Sequence, residues 1–111
     1  MKLIIAIVQD EDSSRLVSQL MNDGFGVTKL ATTGGFLRAG NTTLLIGVDD
    51  EKLHSVMEII EQVCKSRKQI TAAPSSIGSM GGMPGAASYP VEVTVGGATV
   101  FVMSVDQFVK L

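Results

Sequence analysis

Residues 31–48, ATTGGFLRAGNTTLLIGV, hold the clearest cluster of residue types suited to binding chemistry. Gly34, Gly35 and Gly40 surround one aromatic, Phe36, with Leu37, Arg38 and Asn41 close behind. An ordinary hairpin turn needs two to five residues and no aromatic. Glycine permits close backbone approach. A ring offers a π-face, a guanidinium a positive charge, and an amide both a donor and an acceptor. Together they suit a flat, anionic, hydrogen-bonding ligand, a description that a nucleotide meets. Taken singly, Phe36 reads as readily as a ring folded under its own loop, and Arg38 as a solvated charge. The clustering favours a site.

Covalent chemistry has little to work with. His54 is the only histidine and Cys64 the only cysteine. His54 stands at the start of a helical pattern beside Asp50 and Glu51, with no serine or cysteine at a spacing that would make it a base for a nucleophile. Cys64 reads as a small apolar helix residue, and one cysteine excludes a disulfide framework. The glycine loop lacks the following GK[ST] of a triphosphate-hydrolysing loop. Nine basic against eleven acidic side chains leave a net charge of −2, and no basic run exists for DNA or RNA.

The elements that must carry the loop follow from periodicity. Residues 3–8 form a continuous apolar, β-branched run, expected to be a buried central strand. Asp10, Asp12 and Ser13 are N-cap candidates, Leu16, Val17, Leu20 and Met21 fall at helical spacing, and Gly24 suits the residue after the helix. Residues 27–33 and 42–48 read as strands flanking the glycine loop. Asp49, Asp50 and Glu51 place negative charge at a helix start. Leu53, Val56, Met57, Ile60, Val63 and Cys64 make one apolar stripe, with Lys65, Arg67 and Lys68 expected in its last turn. Residues 69–90, rich in glycine, proline and serine, read as a long loop. Val91, Val93 and Val95 alternate with polar residues, Gly96 and Gly97 mark a turn or bulge, and residues 98–105 read as a closing core strand.

The strand, acidic cap and helix of residues 3–21 are echoed in residues 43–60. That repeat implies an α+β fold of two β-α-β units: a ferredoxin-like sandwich with helices on one face of an antiparallel sheet. With 111 residues, a single domain is expected. The N-terminal apolar run is too short for a signal segment or a membrane span, so a soluble, cytoplasmic protein is expected. Mean hydropathy is +0.33, which implies apolar surface buried between subunits.

Three segments carry a resemblance: IIAIVQDEDS, TKLATTGGFLRAGNTTLLIGV and YPVEVTVGGATVFV. Through them the whole chain closely resembles the PII-like cyclic di-AMP receptor family, also called DarA or PstA. The resemblance implies a PII-like homotrimer with ligand clefts between subunits and no catalytic activity or cofactor. It implies a short T-loop at about residues 34–41 and a long B-loop at about 69–89. It assigns Thr28 and Asn41 to the adenine edge or the sugar-phosphate ring. Gly35, Phe36 and Leu37 would close over a base, Gly47 would let the backbone approach, and Phe101 would lie near the base. Arg38 completes the candidate set, and no metal site is expected. Relatives commonly carry an arginine where this chain has Gly26, and a glutamine where it has Lys110. The function implied is a second-messenger receptor whose loops reorder to regulate an unidentified target protein. The alternatives are a PII-type regulator of another adenine nucleotide such as ATP, or a small trimeric metal-binding protein of the same fold.

Overall fold

The structure, a computed structural model, describes residues 1–30, 40–74 and 88–111. It divides into two compact units: Met1–Lys65 with Gly96–Leu111, and Ser66–Val95.

The first unit holds strand β1 (Lys2–Gln9), helix α1 (Asp10–Asn22), β2 (Thr28–Leu30) and β3 (Asn41–Val48). A short 3-10 turn, Asp50–Lys52, then leads into α2 (Leu53–Cys64). The second unit holds β4 (Arg67–Pro74) and β5 (Ser88–Val95); β6 (Ala98–Ser104) returns to the first.

The first unit's sheet runs β2-β3-β1-β6 with every neighbouring pair antiparallel. This is the order a ferredoxin-like fold gives two interleaved β-α-β units. Alternation puts Ile4, Ala6 and Val8 of β1 and Leu44, Ile46 and Val48 of β3 on one face. Leu16 and Leu20 of α1 and Val56, Ile59, Ile60 and Cys64 of α2 complete that core. Leu53, Met57 and Val63 pack partly buried against it, as the stripe requires. Met21 does not follow its pattern: at 61% exposure it lies outside the core.

Helix α1 begins at Asp10, with Gln9 in the cap position and no side-chain cap bond. None of the three expected cap residues therefore caps the helix. Asp10 instead accepts a hydrogen bond from the Thr42 hydroxyl, while the Ser13 hydroxyl donates to the Asp10 carbonyl at 2.9 Å. Asp12 is buried and meets Arg15 at 3.3 Å, and Arg15 also donates to the Val63 carbonyl at 3.0 Å. The acidic first turn thus interacts with the dipole and ties α1 to β3 and α2. At the other end Gly24 takes φ +89°, and Gly24 and Phe25 donate back to Met21 and Leu20, closing the helix as expected.

Two boundaries and the placement of one strand differ from expectation. Helix α2 stops at Cys64, so Arg67 and Lys68 lie in β4 rather than in a last helical turn. Residues 69–74 and 88–90, expected within a long loop, are strand, because β4 and β5 pair from Arg67↔Val95 to Pro74↔Ser88. Antiparallel backbone pairing satisfies their polar groups despite a loop-like composition. Among the described residues, strand β6 pairs with β1 on one side only, which makes it an edge of this sheet rather than a core strand. Its Phe101, Val102 and Met103 are exposed.

Within the second unit, Val91, Val93 and Val95 are half-buried and Glu92 and Thr94 exposed, matching the alternation in the sequence. Lys68 and Glu92 pair across the hairpin at 3.2 Å.

Candidate functional site

Four of the expected ligand residues fall among those described: Thr28, Asn41, Gly47 and Phe101. Gly35, Phe36, Leu37 and Arg38 lie outside the described residues. Asn41, expected at the end of the glycine loop, is the first residue of β3.

Strand register decides where the four point. Thr28 pairs with Leu45, Leu45 with Ile5, and Ile5 with Phe101. These residues form one row across all four strands. Gly47 pairs with Leu3, which pairs with Met103, in a second row. Asn41 pairs with Gln9 in a third. Side chains alternate along a strand, and the residues between these positions form the core. All four candidates therefore occupy the sheet face that neither helix covers. The same face carries half-buried Leu3, Ile5, Ile7 and Leu45 beside exposed Leu30, Phe101 and Met103.

One face does not mean one contact point. Thr28 and Phe101 are three strand spacings apart, roughly 14 Å. Asn41 and Gly47 are six residues apart along β3, roughly 20 Å. Within one chain, the sheet aligns the four but does not gather them around a single base.

The end of β1 ties the candidate region together. The Asp10 N–H donates to the Gly40 carbonyl at 2.8 Å, and Thr42 donates to the Asp10 carboxylate. The Gly96 N–H donates to the Gln9 side-chain carbonyl at 2.8 Å, and the Gly97 N–H donates to the Cys64 carbonyl. Gln9 and Asp10 thus hold the start of β3, and Gln9 also holds the approach to β6.

A cleft of about 190 Å³ opens where β2 begins and β3 ends. Its lining includes Met1, Phe25, Gly26, Gly47, Asp49 and Lys52. Periodicity did not single out Lys52 as a site residue. It reads as one charge in an acidic helix start, and only the 3-10 turn brings it to the cleft. Close by, the Met1 ammonium lies 3.0 Å from Asp50 and, as a hydrogen-bond donor, holds that carboxyl below its ordinary range.

His54 is exposed and meets Glu58 at 2.9 Å, one helical turn along. Cys64 is buried in the core. Both lie where the sequence places them. Among the described residues, no three His, Cys, Asp or Glu side chains group as metal ligands do. None of the described helices is long and apolar enough to cross a membrane.

An antiparallel sheet with two helices on one face and an apolar, partly exposed opposite face defines an α+β domain of the ferredoxin-like type. The family model described as cyclic-di-AMP receptor matches residues 1–111, the whole chain. The chain belongs to that family. It is also similar to a solved structure described as a functionally unknown protein from Pediococcus pentosaceus ATCC 25745. The two are 43% identical with a TM-score of 0.76, over 99% of this chain and 96% of the other.

Proposed function

We propose that the protein is a cytoplasmic receptor that binds cyclic di-AMP in clefts between the subunits of a homotrimer and signals through its loops to a target protein. Membership of the receptor family supplies the ligand class. One observation from the structure carries the arrangement: Thr28 and Phe101 share a sheet face but stand three strands apart. A hydrogen bond needs about 3 Å and a stacked ring little more. Copies packed against this face bring Thr28 of one chain toward Phe101 of another, and they cover Leu30, Phe101 and Met103 as they do so.

In this reading Phe101 and Phe36 lie against the bases, and Thr28 and Asn41 hydrogen-bond base edges or the sugar-phosphate ring. Arg38 and the glycine backbone meet phosphate. Nothing in this scheme calls for bond-making chemistry or a cofactor. Bonds from Asp10 to Gly40 and Thr42 join the start of β3 to the core, so ligand contacts at Asn41 bear on residues the core holds. Ligand binding shifts the loops in proportion to its preference for one of their arrangements.

Calorimetric titration with cyclic di-AMP, ATP, cyclic di-GMP and zinc tests the proposal. One cyclic di-AMP bound per subunit, with much weaker cyclic di-GMP, is expected. Preference for ATP would move the protein to another adenine nucleotide, and zinc binding alone would make it a metal-binding protein.

A further inference from the structure

Asn41 stands at a weak point of the sheet. It is the last residue of the β1–β3 ladder, where it pairs with Gln9. The residue before it, Gly40, takes φ +93°, in a region that glycine enters without strain but from which it also moves easily. The residue after it, Thr42, is buried on the core face. A single residue holds both neighbours. The Asp10 N–H donates to the Gly40 carbonyl at 2.8 Å, and the Asp10 carboxylate accepts from the Thr42 hydroxyl.

Neither contact serves the helix that Asp10 begins. The first N–H groups of a helix have no partner within it, and a polar side chain at the start commonly caps them. Helix α1 has no side-chain cap bond, and Asp10 directs both its N–H and its carboxylate to β3. Its third polar group, the carbonyl, accepts from the buried Ser13 hydroxyl at 2.9 Å. Asp10 is thus anchored to α1 through its carbonyl and grips the chain on either side of Asn41 with the rest. The backbone on the two sides of a strand residue sets the direction of its Cα–Cβ bond. An amide makes a good hydrogen bond only within a narrow range of distance and angle.

We infer, on the receptor reading above, that Asp10 is a positioning residue for the ligand site: it clamps Gly40 and Thr42 so that the Asn41 amide is aimed before the ligand arrives. Asp10 does not touch the ligand in this scheme. It acts through Asn41, and the Thr42 hydroxyl is its partner in doing so.

The test is calorimetric titration of cyclic di-AMP, with a melting curve for each protein. The variants are Asp10→Ala, Asp10→Asn, Thr42→Val, Asn41→Ala, the double variant Asp10→Ala with Asn41→Ala, and Ser13→Ala. Asp10→Ala and Thr42→Val should each weaken binding about tenfold, the worth of one well-made hydrogen bond. Asp10→Asn keeps an oxygen that accepts from Thr42 and should stay within about threefold of wild type. In the Asn41→Ala background, Asp10→Ala should cost less than about twofold more, because residues that act as one unit do not add. Ser13→Ala removes a buried bond at the same corner but leaves the clamp, so it should lower the melting temperature with little change in affinity. Wild-type affinity in Asp10→Ala, or in Thr42→Val should Asp10→Ala not fold, would overturn the inference. So would a loss of equal size with and without Asn41, or an equal loss in Ser13→Ala, since either would reduce the effect to general stability. Wild-type affinity in Asn41→Ala would remove the residue that Asp10 positions. A wild-type protein that binds no cyclic di-AMP would overturn the receptor reading itself.

Discussion

Thr28 and Phe101 stand at opposite ends of one row of side chains, Thr28–Leu45–Ile5–Phe101, that crosses all four strands of the sheet. The row lies on the face without helices, and both its end residues are exposed. Candidate ligand residues this far apart, on a surface this apolar, fit a site completed by a neighbouring copy.

The first expectation is therefore a trimer. Light scattering at micromolar concentration should give three times the monomer mass, 11.7 kDa. A monomer or dimer would contradict the cleft arrangement.

Phe101→Ala should weaken cyclic di-AMP binding by about 1–3 kcal/mol, the value of one base stack. The residue is 53% exposed on an edge strand of the single chain, so the secondary structure seen by circular dichroism should be unchanged. Wild-type affinity in a folded trimer would remove Phe101 from the site.

Asn41→Ala and Thr28→Val should each weaken binding by about 1–3 kcal/mol, because the ligand loses a polar partner in a desolvated site. Thr28 is exposed and lies on a three-residue strand, so Thr28→Val should leave thermal unfolding nearly unchanged. Calorimetry with a parallel melting curve checks both.

Gly26→Arg should tighten binding by about 1.5–3 kcal/mol at low salt and less at high salt. Gly26 does not adopt positive φ, and a side chain there enters open space. No strain opposes the change. Affinity that stays unchanged at both salt levels would contradict this.

Leu20→Ala should cost about 2–5 kcal/mol of stability, because Leu20 is fully buried between α1 and the sheet. Urea unfolding followed by circular dichroism measures the loss. A change below about 1 kcal/mol would mean that the α1 face does not pack as described.

Much of this protein was legible in the chain itself. The apolar run of β1, the stripe of α2 and the stop at Gly24 are local signals, set by backbone geometry and short-range periodicity. The β-α-β echo was enough to imply an antiparallel sheet under two helices. The resemblance in three segments led to the receptor family that the whole-chain match establishes. Of the β4–β5 pair only the alternation of Val91, Val93 and Val95 was legible: the segment from 69 to 90 has a loop-like composition, and only pairing between β4 and β5 makes its ends strand. Nor did periodicity show that β6 is an edge with exposed Phe101 and Met103. An apolar strand reads alike whether its cover comes from its own helices or from outside the chain. Register, a property of strands that meet far apart in sequence, put Thr28, Asn41, Gly47 and Phe101 on one face. The sequence by itself determined the elements and the family, because those follow from local chemistry. The tertiary structure decided which residues share a surface, because strand pairing brings them there.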